Sequence, residues 1–198
     1  MTLDQYRPHI KKYVAPLVSV SIRLGLTPNF YTIASFVAAG AAGLAFLFRA
    51  EVLGIILVAA NAFCDALDGA VAREMKIESS RGDFLDHAVD RYADIFIITG
   101  IFAGGYVCWQ IGVFALTGVL MASYLGTQAQ AVGVGRYYGG VLGRADRLVL
   151  IMLIGIVDVL LPSGLFGIRY LGWLLVIFGI LGHFTALQRF AYVWRKIE

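Results

Sequence analysis

The sequence predicts an all-α protein of the integral membrane class: a six-transmembrane-helix bundle with an N-terminal amphipathic interfacial helix. Hydrophobic residues make up 60% of its 198 residues, and its mean hydropathy is +0.79, whereas soluble domains contain about 45–50% apolar residues. The length accommodates about six spans of roughly 20 residues with short loops between them. It leaves no room for a separate soluble domain.

The first part of the chain, residues 1–26, has the pattern of an amphipathic juxtamembrane helix. Its charged residues alternate with apolar residues that recur every three or four positions, which is the helical period. Because this segment precedes the first apolar run, we expect it to lie along the membrane surface. Gly25, Pro28 and Asn29 interrupt the helix, and residues 27–198 then form one six-helix membrane domain.

Six apolar runs follow this segment. We expect spans at about 32–48, 52–73, 83–107, 112–131, 144–161 and 168–189. A glycine-rich loop at 133–143 separates the fourth span from the fifth, and Pro162 ends the fifth.

Lys and Arg residues are distributed unevenly between the two ends of these spans. With a cytoplasmic N-terminus, all of the 16 Lys and Arg residues except Arg49 and Arg169 fall on the cytoplasmic side, as the positive-inside rule requires. Six spans return the C-terminus to the same side, so we expect both termini to be cytoplasmic. The net charge of +3 reflects this bias. The chain lacks the broad basic surface of a nucleic-acid-binding protein, so we expect no nucleic-acid partner.

Acidic residues are concentrated where the second span ends and the third begins. Asp65 and Asp68 are three residues apart and share a helix face, and Asp86 and Asp90 are four apart and share another. A short polar segment joins the two spans. We therefore expect antiparallel neighbours whose cytoplasmic ends bring the four carboxylates together.

Four like charges at a membrane edge are costly, since each charge near hydrocarbon costs about 3 kcal/mol even on lenient insertion scales. Divalent cations between the carboxylates remove this repulsion, and ligation by oxygen alone favours a hard ion such as Mg²⁺, Mn²⁺ or Ca²⁺. Four carboxylates suffice for two ions with shared ligands. Paired ions about 4 Å apart clamp the attacking and leaving oxygens in phosphoryl chemistry. The expected cofactors are therefore two divalent cations, Mg²⁺ or Mn²⁺.

The same segment, residues 65–90, resembles the signature of the CDP-alcohol phosphotransferase (CDP-alcohol phosphatidyltransferase) family. The signature has eight fixed positions, and this sequence has the matching residue at each: Asp65, Asp68, Gly69, Ala72, Arg73, Gly82, Asp86 and Asp90. The six-span layout is also similar to that of the family. The resemblance therefore covers nearly the whole chain.

The resemblance implies an enzyme of phospholipid biosynthesis, a transferase of substituted phosphate groups. A phosphatidyl-type group, with diacyl or archaeal diether chains, passes from a CDP-linked lipid to the hydroxyl of a small polar alcohol, and CMP leaves. The resemblance also suggests a homodimer. The distribution of Lys and Arg places the active site of this multi-pass protein, surrounded by membrane lipids, on the cytoplasmic side.

Residue roles follow from the same resemblance. Asp65, Asp68, Asp86 and Asp90 would hold the metals, and Asp90 would also be the catalytic base that activates the acceptor hydroxyl. A further set would contact the CDP moiety, including two residues of a short Pro-Asn element before the first span: Asp65, Gly69, Arg73, Gly82, Asn29 and Thr32.

Three arginines are expected at the cytoplasmic level of the carboxylates. Arg144 and Arg147 begin the fifth span on one face, and Arg189 ends the sixth. Beside a phosphoryl-transfer centre they predict a pocket for an anionic acceptor of the inositol phosphate or glycerol phosphate type. The segment 143–148 is similar to the inositol-phosphate branch of the family. The segment 126–130 departs from that branch, because its residues are neutral where further Lys or Arg is expected.

Two other functions use the same acids. A metal-dependent hydrolase would release CMP from a CDP-lipid with water and would need no arginine pocket. A divalent-cation transporter would also bind metal inside the membrane, but these acids all lie at one side and form no relay across the midplane. Release of CMP with and without an acceptor alcohol separates the three hypotheses.

Overall fold

The computed structural model describes residues 7–197 of the chain, and its side chains from residue 15 onwards. The described part contains seven helices and no β-strand beyond one isolated bridge between Leu165 and Ile168. The helices are α1 (Arg7–Arg23), α2 (Pro28–Leu47), α3 (Glu51–Met75), α4 (Ser80–Ala103), α5 (Trp109–Ala131), α6 (Arg144–Leu160) and α7 (Tyr170–Trp194). The prediction of an all-α protein is confirmed.

Four helices, α2, α3, α5 and α7, are long and apolar enough to cross a membrane. The remaining two predicted spans correspond to α4 and α6. Helix α4 contains the charged residues of the predicted site, and α6 is only 17 residues long. The described helices therefore support a protein with several membrane spans, and the count of six stays a prediction.

Helix α1 covers most of the predicted juxtamembrane segment. The first six residues of that segment and the side chains of residues 7–14 lie outside the described residues. The amphipathic character of the segment therefore stays a prediction. The C-terminal half of α1 packs against the bundle. Val18 is buried beside Leu67 and Val71 of α3, and the hydroxyl groups of Ser21 and Tyr31 are 2.6 Å apart. This end of α1 therefore contacts the bundle close to the acidic part of α3.

Helix α2 begins four residues before the predicted start of the first span. Pro28 occupies the first turn, where its missing N–H costs no hydrogen bond. The side chain of Thr27 caps the helix by accepting a hydrogen bond from the backbone N–H of Phe30, at 3.4 Å. Pro28 and Asn29 therefore start a helix as well as ending the segment before it. The early start places Thr32 inside α2.

Helix α2 packs against both α3 and α4, and these two helices contact α2 far more than they contact each other. The α2–α4 contact is close: a Cβ on Gly100 would lie 2.1 Å from the carbonyl oxygen of Gly43. The expectation that α3 and α4 are direct neighbours is therefore wrong along most of their length. Both helices pack on α2, and carboxylates at their acidic ends lie close to each other.

At the opposite end of the bundle, the two arginines predicted to lie outside the cytoplasm have internal partners. Arg169 donates hydrogen bonds to the carboxylates of Asp158 and Glu51, both at 3.0 Å. Arg49 donates to the backbone carbonyls of residues 104 and 105, and it lies over the ring of Tyr106. These contacts join the ends of several helices far from the acidic cluster.

Candidate active site

The ends of α3 and α4 bring the four predicted carboxylates into two overlapping groups. Oxygen atoms of Asp65, Asp68 and Asp86 lie within 4.8 Å of one another. Asp86 also belongs to a second group with His87 and Asp90, whose potential ligand atoms lie within the same distance. Asp86 is therefore the carboxylate that the two groups share.

Asp68 and Asp90 are the most buried of the four, at 6% and 7% exposed. The hydroxyl of Thr32 on α2 donates a hydrogen bond of 2.9 Å to Asp68 Oδ2, and the backbone N–H of Gly69 donates to Oδ1 at 2.5 Å. These two donors orient the Asp68 carboxylate. Thr32, predicted to contact the nucleotide, thus lies at the carboxylates themselves.

His87 reaches the cluster, although the sequence pattern did not place it there. Neighbouring helical residues are rotated by about 100°, which directs His87 away from the carboxylate face of α4. In the structure its Nδ1 lies 3.9 Å from Asp86 Oδ2 and its Nε2 lies 3.7 Å from Asp83 Oδ1. In the sequence, the i, i+4 spacing of Asp83 and His87 indicates that these two side chains are neighbours on α4.

Arg144, the first residue of α6, is the positive charge closest to the carboxylates among the described residues. Its Nη1 lies 2.7 Å from Asp65 Oδ2 and 2.9 Å from Asp90 Oδ1, so one nitrogen bridges α3 and α4. Its Nε and Nη2 are buried and have no hydrogen-bond partner within the described part of the chain. Asp90 Oδ1 likewise accepts no hydrogen bond there, so its contact with Arg144 is an ion pair without hydrogen-bond geometry.

The other two predicted acceptor residues have different partners. Arg147 is 3% exposed, and its Nη2 lies 2.6 Å from Asp94 Oδ2 in a buried ion pair. Arg189 donates to the backbone carbonyls of Ala122, Tyr138 and Gly139 at 2.6, 3.3 and 2.8 Å. Of the three arginines, the structure brings only Arg144 into contact with the cluster.

The residues predicted to contact the CDP moiety lie at the same end of the bundle. A Cβ on Gly69 would lie 3.1 Å from Arg73 Nη1, so the missing side chain leaves room for this guanidinium along α3. The N–H of Gly82 donates to Ser79 Oγ at 3.1 Å, which caps the start of α4. Asn29 is exposed in the first turn of α2.

The loop at 132–143 is joined to the start of α4 by a bidentate ion pair. Arg136 Nη1 and Nη2 donate to the two oxygens of Asp83 at 3.0 and 2.6 Å. These hydrogen bonds raise the pKa of Arg136 above its usual range, so the pair is charged at any physiological pH. Arg189 holds the middle of the same loop by donating to the carbonyls of Tyr138 and Gly139. The loop therefore lies beside the cluster and leads into Arg144.

The structure thus combines long apolar helices with a group of carboxylates and arginines at one end of the bundle. The profile of the CDP-alcohol phosphatidyltransferase family matches residues 25–187, and the chain belongs to this family. It is therefore an enzyme of phospholipid synthesis, as its signature residues predicted.

Individual relatives are similar over nearly their full length. The chain is 33% identical over 196 residues to the archaetidylinositol phosphate synthase of Methanothermobacter thermautotrophicus, covering 99% of this chain and 96% of that protein. The phosphatidylinositol phosphate synthase of Mycobacterium tuberculosis, crystallised with CDP-DAG bound, superimposes with a TM-score of 0.78 at 26% identity, covering 92% of this chain and 94% of that one. Its complex with manganese and citrate gives a TM-score of 0.76 at 26% identity, covering 90% and 88%.

Proposed function

We propose that this enzyme transfers a phosphatidyl-type group from a CDP-linked lipid to the hydroxyl of an inositol phosphate. The observation that carries the proposal is the convergence of Asp65, Asp68, Asp86 and Asp90, from two helices, beside Arg144. The names of the similar synthases support an inositol phosphate over a glycerol phosphate acceptor. The lipid chains are of the diacyl or diether type.

In the proposed reaction, the acceptor oxygen forms a bond to the phosphorus that bears the lipid. The bond from that phosphorus to the oxygen bridging the two phosphates breaks, and CMP leaves with the electron pair. The acceptor proton passes to Asp90, whose carboxylate is 7% exposed and borders the gap between α3 and α4. A carboxylate is an effective base only when the acceptor oxygen lies within hydrogen-bond distance of it.

The residues at the cluster fit two divalent cations. The donor atoms of the four aspartates are carboxylate oxygens, which Mg²⁺ and Mn²⁺ prefer, and the two groups share Asp86. Asp90 Oδ1 is buried without a hydrogen-bond donor among the described residues, as suits a metal ligand. Asp65, Asp68 and Asp86 would hold one ion, and Asp86 and Asp90 the other, with His87 adjacent. Such a pair, when bound, neutralises phosphate oxygens and lowers the barrier to displacement.

The CDP moiety is proposed to bind along the ends of α2, α3 and α4. Arg73 has a planar fork of donors that matches phosphate oxygens, and the missing side chain of Gly69 leaves it room. Gly82 lets a ligand approach the first turn of α4, and Asp65 and Asn29 supply polar groups at either side. Thr32 acts through its hydrogen bond to Asp68.

The acceptor phosphate is proposed to bind on the arginine side. Arg144 contacts it directly, because its Nε and Nη2 have no hydrogen-bond partner within the described residues and can donate to phosphate oxygens. Arg147 and Arg189 have fixed positions behind it, held by Asp94 and by backbone carbonyls. They add positive potential to the pocket.

The placement in the membrane is part of the same proposal. Six spans in a domain at 27–198, with the active site and both termini in the cytoplasm, agree with the distribution of Lys and Arg. The two exceptions, Arg49 and Arg169, lie at the end of the bundle opposite the carboxylates. Homodimer formation stays a prediction.

An assay of CMP release tests the proposed reaction. Purified enzyme with a CDP-linked lipid and Mn²⁺ is expected to release CMP only when myo-inositol 1-phosphate is added, and less with glycerol 3-phosphate. The donor is supplied with diacyl and with diether chains in parallel. Release without any acceptor would support the hydrolase instead, and no release with any donor, acceptor or metal would refute the transferase.

Replacing Thr32 with valine tests the orientation of Asp68. The variant keeps the shape of the side chain and removes the 2.9 Å hydrogen bond to Asp68. Because groups that orient metal ligands typically contribute 10–100-fold, Mn²⁺ affinity is expected to fall by about tenfold. Thr117→Val is the matched control, since the Thr117 hydroxyl donates within α5 to the carbonyl of Val113 at 2.8 Å. Equal Mn²⁺ affinity in both variants would contradict the role of Thr32.

A further inference from the structure

Arg144 makes contacts that satisfy its charge but not its hydrogen-bond donors. A single nitrogen, Nη1, lies within 3 Å of two acids from different helices, Asp65 and Asp90. The remaining nitrogens, Nε and Nη2, are buried and have no hydrogen-bond partner in the described range. A buried donor without a partner is unfavourable, and more so when the group is charged. The electrostatic attraction of the two carboxylates therefore holds this pose against an unfavourable donor environment.

The other two predicted acceptor arginines have hydrogen-bond partners away from the four carboxylates. Arg147 donates from Nη2 to Asp94 at 2.6 Å, while its Nε is also buried without a partner among the described residues, and each nitrogen of Arg189 donates to a carbonyl. Their partners lie behind the cluster and are not among the proposed metal ligands. Arg91 also contacts one proposed ligand, since its Nη2 donates to Asp90 Oδ2 at 3.4 Å, but among the described arginines Arg144 is the one that bridges two of them.

Divalent cations bound to Asp65 and Asp90 are incompatible with the Arg144 guanidinium in its present position between these two carboxylates. Mg²⁺ binds oxygen at about 2.1 Å and Ca²⁺ at about 2.3–2.6 Å, and Nη1 lies 2.7 Å from Asp65 Oδ2 and 2.9 Å from Asp90 Oδ1. Cations that took these two oxygens as ligands, one at each proposed site, would repel the guanidinium from both.

We infer that Arg144 is a built-in counter-ion of the cluster, exchanged for the bound cation and thereby released to bind the acceptor phosphate. The inference rests on the proposed function, because it takes the metal site and the phosphorylated acceptor from it. Arg144 neutralises Asp65 and Asp90 when no cation does. When a cation takes its place, the guanidinium turns to an anion that can satisfy Nε and Nη2 as well. A phosphate group, with several acceptor oxygens, meets that need.

The exchange makes the two binding events cooperative. A cation that frees Arg144 raises the affinity for the acceptor phosphate, and by thermodynamic reciprocity the phosphate raises the affinity for the cation by the same factor. The cluster therefore favours acceptor binding only after its metals are in place.

The test measures Mn²⁺ affinity by electron paramagnetic resonance of the free ion, using purified full-length protein. Arg144→Gln removes the competing charge and is expected to bind Mn²⁺ at least about tenfold more tightly than the wild type, since close charge pairs are coupled by at least this factor. Arg144→Lys, which keeps the charge, is expected to lie between them. Affinity in Arg144→Gln equal to or weaker than that of the wild type would overturn the inference.

Arg136→Gln is the matched control. It removes the same charge at the same end of the bundle, but Arg136 is paired with Asp83 rather than with the proposed ligands. Its Mn²⁺ affinity is expected to stay within about twofold of the wild type. A change as large as that of Arg144→Gln would show a general effect of charge and would overturn the inference.

A second arm measures the binding of myo-inositol 1-phosphate with and without Mn²⁺. The wild type is expected to bind it more tightly with Mn²⁺, and Arg144→Gln is expected to lose this coupling. Coupling that persists in Arg144→Gln would overturn the exchange and leave the proposed function standing. Absence of Mn²⁺ binding in the wild type would refute the proposed metal site as well as the exchange.

Discussion

Replacing Asp90 with asparagine is expected to reduce turnover by at least about a thousandfold, within the range that a general base contributes. The substitution keeps the size of the side chain and removes its basicity. Asp90 is a member of the second carboxylate group only, whereas Asp65, Asp68 and Asp86 lie together in the first. Most Mn²⁺ binding should therefore survive in this variant.

Asp86→Asn is the control that separates a base from a ligand. Asp86 belongs to both carboxylate groups, so its loss is expected to weaken Mn²⁺ binding as well as turnover. Turnover is measured as acceptor-dependent CMP release at saturating Mn²⁺, and metal binding is measured on the same preparations. Retained turnover in Asp90→Asn would remove Asp90 from the role of base.

Replacing Arg147 with alanine is expected to destabilise the protein by about 3–5 kcal/mol, the typical cost of breaking a buried ion pair. Arg147 and Asp94 are 3% and 4% exposed, and their contact at 2.6 Å joins α6 to α4. Removing the arginine leaves a buried carboxylate without its counter-charge. The measurement is the free energy of unfolding in mixed micelles.

Two further variants serve as comparisons for Arg147→Ala. Arg136→Ala breaks the more exposed pair with Asp83 and is expected to cost less than about 1 kcal/mol. The double variant Asp94→Leu, Arg147→Met replaces the buried pair with apolar side chains and is expected to recover most of the stability. If Arg147 also contributes positive potential to the acceptor pocket, the double variant keeps a raised KM for the acceptor and a nearly normal KM for the CDP-lipid. Equal changes in both values would contradict that contribution.

The two kinds of charged residue at this site have different structural roles. The four carboxylates of the cluster come from two helices, and two of them, Asp65 and Asp90, share a single guanidinium, that of Arg144. Asp94 and Asp158, by contrast, are paired with Arg147 and Arg169 at either end of the bundle. A buried acid with its own arginine partner stabilises the packing of helices, whereas acids that share one arginine leave an oxygen such as Asp90 Oδ1 without a hydrogen-bond donor and available to a ligand.

The acidic half of the site could be predicted from the sequence because its geometry is local. Asp65 and Asp68 share a face of α3, and Asp86 and Asp90 share a face of α4, since residues three or four apart are neighbours on a helix. The short connection between the two helices then brings their ends together. The all-helical class followed from the apolar runs for the same reason, because a membrane span is a local property of about 20 residues.

The partners of the arginines depended on the tertiary structure. Arg147 and Asp94 are 53 residues apart in sequence, as are Arg136 and Asp83, and no local period relates them. The packing of α4 on α2 involves the close approach of Gly43 and Gly100, which spacing along one helix does not encode. The sequence by itself determined the class of protein and its four carboxylates, through residues adjacent on single helices. Only the packing of distant helices decided that Arg144, and neither Arg147 nor Arg189, contacts those carboxylates, because an ion pair between helices depends on where the helices lie in space.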